Sequence, residues 1–159
     1  MLSKSAEKVQ IALTKLGYAY KVIEAAESTR TAEEAAARVG CSVGQIVKSL
    51  IFKGKKSGKA ILILTSGANR VDVKRIVAHA QEKIGRADPD FVRERTGFAI
   101  GGIPPLGHLH PIETYVDEDL LNFEEVWAAG GTPKALFKMP ASKLEKMTSG
   151  KIIQVKQES

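Results

Sequence analysis

The sequence predicts an α+β fold, a mixed and largely antiparallel sheet with helices packed around it. Three observations carry that reading. "IVKSLIFK" and "KAILILT" are β-rich apolar runs joined by the short turn "GKKSG", which makes a hairpin. "EVWAAGG" and "ALFKM" form a second such pair around "GGTPK". Segments with helical spacing and capping signals lie between the strands, but not in strict βαβ order, so two hairpins are set into a mixed sheet.

The elements follow in chain order. Val9, Ala12, Leu13 and Leu16 recur at helical spacing, and Gly17 stands where that helix stops. "YAYKVIE" is short and β-prone. "TRTAEEAAARVG" is a helix with Thr31 as N-cap, Glu34 completing a T-x-x-E box and Gly40 at its end. Ser42 and Gln45 repeat the signal and open a short helical turn. The first hairpin comes next, and the near-continuous apolar run of "KAILILT" marks a central strand. "RVDVKRIVAHAQ" reads as a helix with Asp72 near its start. "ADPDFVRERTG" is another, with Asp88 as N-cap, Pro89 at the first helical position and Gly97 as stop. After the loop "FAIGGIPPLGH" come the strand "IETYVD", a short helical start in "EDLLNFEEV", and the second hairpin. The short helix "ASKLEKM", the strand "KIIQV" and a tail "KQES" expected to fray complete the chain.

With 159 residues, 43% hydrophobic and 26% charged, the chain reads as one globular domain over residues 1–159. The net charge of +6 suits an anionic partner such as nucleic acid without requiring one. A single cysteine, Cys41, excludes an intrachain disulfide and fits a reducing compartment. No secretory leader and no membrane-length apolar run is seen, so a cytoplasmic protein with no membrane association is expected.

Standard catalytic signatures fail. "GKKSGKA" misses the Walker A spacing by one residue and has Ala60 where Ser or Thr is required. Gly101, Gly102 and Gly107 do not make a dinucleotide fingerprint. His108 and His110 lack further ligands at zinc-binding spacing, so no metal and no cofactor is expected. Cys41 has no base beside it in sequence, and no G-x-S-x-G elbow exists.

Three features remain. On its strand, Lys48 shares a face with Leu50 and Phe52, so it must snorkel to water, find a partner or line a cavity. In "GGIPPLGH" the glycines let backbone N–H groups approach a ligand and the prolines restrict the loop, which suits either an oxyanion site or a tight helix-to-strand crossing. Lys53, Lys55, Lys56 and Lys59, with Arg70, Lys74 and Arg75, form either a phosphate-contacting rim or a solvated surface.

Together, "TAEEAAARVG", "QIVKSLIFK", "RVDVKR", "TGFAIGGIPPLGH", "TYVDEDLL" and "AAGGTPKALFKM" resemble, in that order, the YbaK/prolyl-tRNA synthetase-associated editing domains. The resemblance spans nearly the whole chain. It implies a barrel-like mixed sheet and an enzyme that deacylates mischarged tRNA in trans, typically tRNA for proline carrying a small wrong amino acid. The partners it implies are that aminoacyl-tRNA and prolyl-tRNA synthetase. The family's key lysine corresponds to Lys48, and its G-x-x-x-P loop to Gly101 through Pro105. On this reading Lys48, Gly101 and Gly102 are catalytic. Thr31, Ile103, Pro105 and His108 bind substrate, while Lys53, Arg70 and Lys74 contact tRNA. Backbone N–H groups at Gly101 and Gly102 would stabilise the tetrahedral oxyanion, and water or a group of the substrate would attack. The alternative is a non-catalytic module that binds aminoacyl-tRNA or an amino acid. One departure bears on specificity. Some cysteine-specific members carry an acidic residue in the stretch matching "GGTPKALFKM", which here has none, so alanine, serine and cysteine stay open.

Overall fold

The computed structural model of the chain describes residues 1–29 and 31–158. Five helices and eight strands appear in the order α1 (Lys4–Lys15), β1 (Val22–Glu24), α2 (Ala32–Val39), β2 (Ile46–Gly54), β3 (Ala60–Ser66), α3 (Val73–Ala80), β4 (Ile84–Arg86), α4 (Pro89–Thr96), β5 (Glu113–Asp117), β6 (Glu125–Ala129), β7 (Ala135–Pro140), α5 (Leu144–Thr148) and β8 (Lys151–Ile153). The capping signals act as the sequence suggests. The side chains of Thr31, Asp72 and Asp88 accept from Glu34, Lys74 and Phe91 N–H, and Gly40 and Gly97 close their helices in the left-handed region. Gln45 Oε1 accepts from Ser42 N–H at 3.1 Å.

The strands form one mixed sheet in the order β1-β7-β6-β2-β3-β5-β8, with β4 paired to β2. Both predicted hairpins are antiparallel ladders, β2–β3 and β6–β7. β1–β7 and β2–β4 are antiparallel too, while β2–β6, β3–β5 and β5–β8 are parallel. The hydrogen-bonded path is open, with β1 and β8 at its ends, rather than closed into a ring. The parallel β3–β5 pair requires a long crossover. That crossover, residues 67–112, carries α3, α4 and the Gly-Pro loop.

β3 is buried along its whole length, because both faces of the sheet are covered. Leu62 and Leu64 enter the larger core with Val9 and Leu13 of α1, Phe98 and Phe137. Ile61 and Ile63 enter a second cluster with Ile76 of α3, Tyr115 and Ile153. A third cluster on that second face joins Ala35 and Ala36 of α2 to Ile46 and Leu136. Each large apolar side chain so buried contributes about 1.5–3 kcal/mol. The alternation in β2 is as the sequence indicates: Val47 and Ile51 pack with the larger core, Leu50 and Phe52 with the second cluster.

Two local readings need correction, and one strand went unread. Only Val22–Glu24 of "YAYKVIE" is strand; Tyr18 and Tyr20 instead stack on each other at 5.2 Å. β4 carries no alternation in sequence and exists because β2 extends far enough to pair it. The tail does not fray through residue 158. Gln157 N–H donates to the Arg70 carbonyl at 2.9 Å, and Glu158 pairs with Arg75 at 3.3 Å. Ser159, the last residue of that expectation, lies outside the described residues.

Candidate functional site

Lys48 leaves β2 in the gap between the two helices of its face. Ile46, two residues before it, packs under α2, and Leu50, two residues after it, packs in the α3 cluster. The lysine is half-buried and finds a partner: its Nζ donates to the Asn69 carbonyl at 3.2 Å. That acceptor is a neutral carbonyl rather than a carboxylate, and no ion pair to Lys48 is present among the described residues. Directly opposite on β3 stands Thr65, which shares this face; its Oγ1 is buried and has no hydrogen-bond partner among the described residues. On the other side, the last β2–β6 pair is Val47 with Ala128. Lys48 is therefore level with Ala129 and the start of the turn Gly130–Pro133.

The Gly-Pro loop sits on the same turn. A Cβ added to Gly102 would lie 2.6 Å from Thr132 Cα and 2.7 Å from Thr132 N, while one on Gly101 would meet Pro133 Cγ at 3.4 Å. The β6–β7 turn thus connects the Lys48 end of the sheet to the glycine pair. Gly101 is exposed, with φ of +95°, a conformation costly for residues with a Cβ. Gly102 N–H is already committed, donating to the Ala99 carbonyl at 3.1 Å. Of the two N–H groups expected to face substrate, that of Gly102 is thus engaged within the loop, and that of Gly101 has no partner among the described residues.

Other predicted substrate residues separate. Thr31 is exposed and its hydroxyl accepts from Glu34 N–H at 3.1 Å; two residues earlier, Thr29 N–H donates to the Pro133 carbonyl at 3.0 Å, so this segment does meet the turn. Ile103 is 3% exposed and packs in the larger core, anchoring the loop rather than walling a pocket. Pro105 and His108 line an open depression with Leu16 and Met147, away from the Lys48 face. His108 Nε2–H donates to the Pro104 carbonyl at 2.7 Å, which holds the turn of the loop. Burial pushes its pKa below the usual histidine value. The folded protein therefore favours neutral His108, and acidification favours the unfolded chain. Stability present above about pH 6.5 should fall as pH drops through the histidine range, and His108→Gln should flatten that fall. Urea unfolding at pH 5 and 7 checks this; equal slopes in both proteins would sink it.

Residues 26–147 match the aminoacyl-tRNA editing domain family. The chain belongs to that family. It is 33% identical over 131 residues to the uncharacterized protein YwhH of Bacillus subtilis, covering 82% of this chain and 83% of that one. It is 24% identical over 139 residues to EbsC of Enterococcus faecalis, named as a candidate Cys-tRNA(Pro)/Cys-tRNA(Cys) deacylase, covering 86% and 84%. A crystal structure described as a candidate trans-editing enzyme for prolyl-tRNA synthetase is 50% identical, with a TM-score of 0.94 over 99% of this chain and 100% of that one.

In this editing domain the predicted tRNA-contacting residues fall into two groups. Arg70 and Lys74 are exposed and follow Asn69, beside Lys48. Lys53 points to the opposite face, roughly 17 Å along β2 from Lys48. Its ammonium lies 4.9 Å from the Phe91 ring, which Arg95 also covers at 5.0 Å. Cys41 is half-buried, and burial pushes its thiol pKa up, away from the reactive thiolate. Among the described residues no group of three or more His, Cys, Asp or Glu is placed to hold a metal ion, and no helix is long and apolar enough to cross a membrane.

Sequence reasoning missed Asn69, Asp117 and Thr65. Asp117 gave a faint signal as an acid ending an apolar strand; it is fully buried and accepts from Ser66 N–H and Asn69 Nδ2. Asn69 gave none, since its role depends on a carbonyl that every residue has.

Proposed function

We propose that residues 1–159 act in trans as an aminoacyl-tRNA deacylase. The substrate is tRNA for proline esterified with a small noncognate amino acid: alanine, cysteine or serine. The observation that supports the reading is that the β6–β7 turn, whose start is level with Lys48 in the sheet, packs against the glycine pair, while Lys48 meets a neutral carbonyl and Gly101 N–H has no partner among the described residues. Membership of the editing family supplies the reaction class. Gly101 N–H polarises the ester carbonyl and stabilises the tetrahedral oxyanion. Lys48 binds the terminal-adenosine phosphate or a neighbouring oxygen and fixes the register of the ester. Where water attacks, the ester C–O bond breaks, the 3′ oxygen takes a proton that the water gives up, and free amino acid and tRNA result; where a group of the substrate attacks first, it displaces the 3′ oxygen and water then hydrolyses the cyclic or migrated ester so formed. The half-buried Cys41 thiol and the engaged His108 ring both favour a nucleophile brought by solvent or substrate. On this reading the cognate proline ester is spared by shape, a form of sieving.

The test is deacylation of tRNA for proline charged in turn with alanine, cysteine, serine and proline. Turnover of one or more noncognate esters with proline spared is expected. Tight binding of the panel with no turnover would favour the non-catalytic module instead. Prolyl-tRNA synthetase is the partner that would deliver the mischarged tRNA, a role that co-purification tests.

Arg70 and Lys74 are the phosphate contacts nearest the ester. Arg70→Ala with Lys74→Ala should raise KM several-fold and reduce the salt slope of binding by about 2, one per contact removed. Lys53→Ala, on the opposite face, should change KM by less than about twofold if it lies outside the RNA footprint. Equal effects of the two changes would mean that the RNA also covers the β2–β3 hairpin.

A further inference from the structure

The Lys48 ammonium is held by the Asn69 carbonyl, and the side chain of that residue is itself held by acids. Asn69 Nδ2 donates to Asp117 Oδ2 and to Asp119 Oδ2, both at 2.9 Å. Asp117 is fully buried; its Oδ2 also accepts from Ser66 N–H at 3.0 Å, and its Oδ1 accepts from Asp119 N–H at 3.0 Å. A buried carboxylate with this many donors is a fixed post. Lys156 lies 3.3 Å from Asp119 and offsets its charge. Asn69 N–H donates to the Ser66 carbonyl at 2.9 Å, closing the turn after β3. Side chain and main chain of Asn69 are therefore both anchored, and its carbonyl is left facing Lys48.

The arrangement has a chemical consequence. Two carboxylates hold the side chain of the residue whose carbonyl meets the lysine, yet neither forms an ion pair with it. A direct ion pair would neutralise the ammonium and compete with an anionic substrate. With Asn69 interposed, the acids fix where Lys48 sits while its charge stays available. We propose that Asn69 is a positioning residue for Lys48, clamped by Asp117 and Asp119, so that the end of β5 sets the register of the lysine across the site.

This inference rests on the deacylase reading for its activity arm only. The first measurement needs no substrate: reductive methylation of the full chain, with the rate at each lysine read by peptide mass spectrometry. In Asn69→Ala the carbonyl remains but its anchor is lost, and the Lys48 rate should rise about three- to tenfold, the shift expected if the loosened turn costs Lys48 one ordinary hydrogen bond. Lys53 and Lys74 should keep their rates. An unchanged Lys48 rate in folded Asn69→Ala overturns the clamp. Should that variant fail to fold, Asp119→Ala and Asp119→Asn replace it. The alanine should raise Lys48 labelling and the asparagine, which keeps an acceptor oxygen for Asn69, should not; equal labelling in the two overturns the clamp.

The second measurement is a double-mutant cycle on tRNA for proline charged with alanine, cysteine or serine. Asn69→Ala should lower kcat about tenfold with KM within about twofold, and should cost nothing further in Lys48→Ala. The same loss in both backgrounds would make Asn69 a general structural residue and overturn its positioning role. Full activity in Lys48→Ala would instead refute the assignment of Lys48, and the labelling rates would still decide the clamp.

Discussion

Lys48→Ala is expected to lower kcat/KM for deacylation at least about tenfold, a loss of ~1.4 kcal/mol or more of transition-state stabilisation, with little change in unfolding temperature. The two halves of that expectation have separate causes. The activity loss follows from an ammonium that has no ion pair among the described residues, is held by the Asn69 carbonyl and is level in the sheet with the start of the turn that packs on the glycine loop. The small stability effect follows from what Lys48 contributes to the fold, one hydrogen bond to a neutral carbonyl from a half-buried side chain. Removing a partly desolvated charge also relieves part of its burial cost. Lys48→Met separates charge from packing, because it keeps most of the stem that covers the strand. It should be as inactive as the alanine variant while matching wild type in thermal unfolding. Single-turnover deacylation of the noncognate panel, with calorimetry on the same preparations, reads both quantities. Less than a tenfold loss in Lys48→Ala would remove the lysine from the reaction.

Much of the fold was legible because its signals are local. Thr31, Asp72 and Asp88 are N-caps in sequence and in structure. The two hairpins announce themselves by short polar turns between apolar runs. β4 was not legible, since three residues without alternation become a strand only when the end of β2 is beside them. The tail was misread for a related reason: "KQES" is polar by composition, but its anchors, the Arg70 carbonyl and the Arg75 guanidinium, lie some eighty residues away in sequence. The site divides the same way. Lys48 stood out because a lysine on an apolar strand face breaks a pattern. Asn69 breaks none, and only the meeting of the β3 and β5 ends reveals its part. His108 was expected at the substrate because of its place in the loop that resembles the editing family's. The structure turns its ring onto a carbonyl of its own loop, which sequence spacing cannot distinguish from a ring aimed at substrate.

Gly102→Ala is expected to damage both stability and activity, and Gly101→Ala to spare most of the stability. At Gly102 the added Cβ would stand 2.6, 2.7 and 2.8 Å from three backbone atoms of Thr132. No rotamer change can relieve a clash with backbone. Nor is that backbone free to retreat. Gly130 N–H donates to the Ala135 carbonyl at 2.8 Å, Ala135 N–H to the Thr132 carbonyl at 3.1 Å, and the neighbouring carbonyls of Pro133 and Lys134 accept from Thr29 and Ala25 N–H. The loop has to lift instead, against the burial of Ile103 and Phe98, which anchor it in the larger core. Overpacking of this kind costs about 1–3 kcal/mol. In a domain of this size that lowers the unfolding temperature by roughly 3–10 °C. At Gly101 the Cβ would meet only Pro133 Cγ at 3.4 Å, an ordinary contact, so the cost is the left-handed φ, about 1 kcal/mol. The activity effects should run differently. Lifting the loop at Gly102 displaces the adjacent Gly101 N–H, and a displacement near 1 Å at a reacting centre can cost about a hundredfold. Deacylation by Gly102→Ala, measured well below its unfolding temperature, should therefore fall by more than its lost stability explains. A Gly102→Ala protein with wild-type stability would show that the loop does not rest on the Thr132 backbone. The proposed link between the glycine pair and Lys48 would go with it.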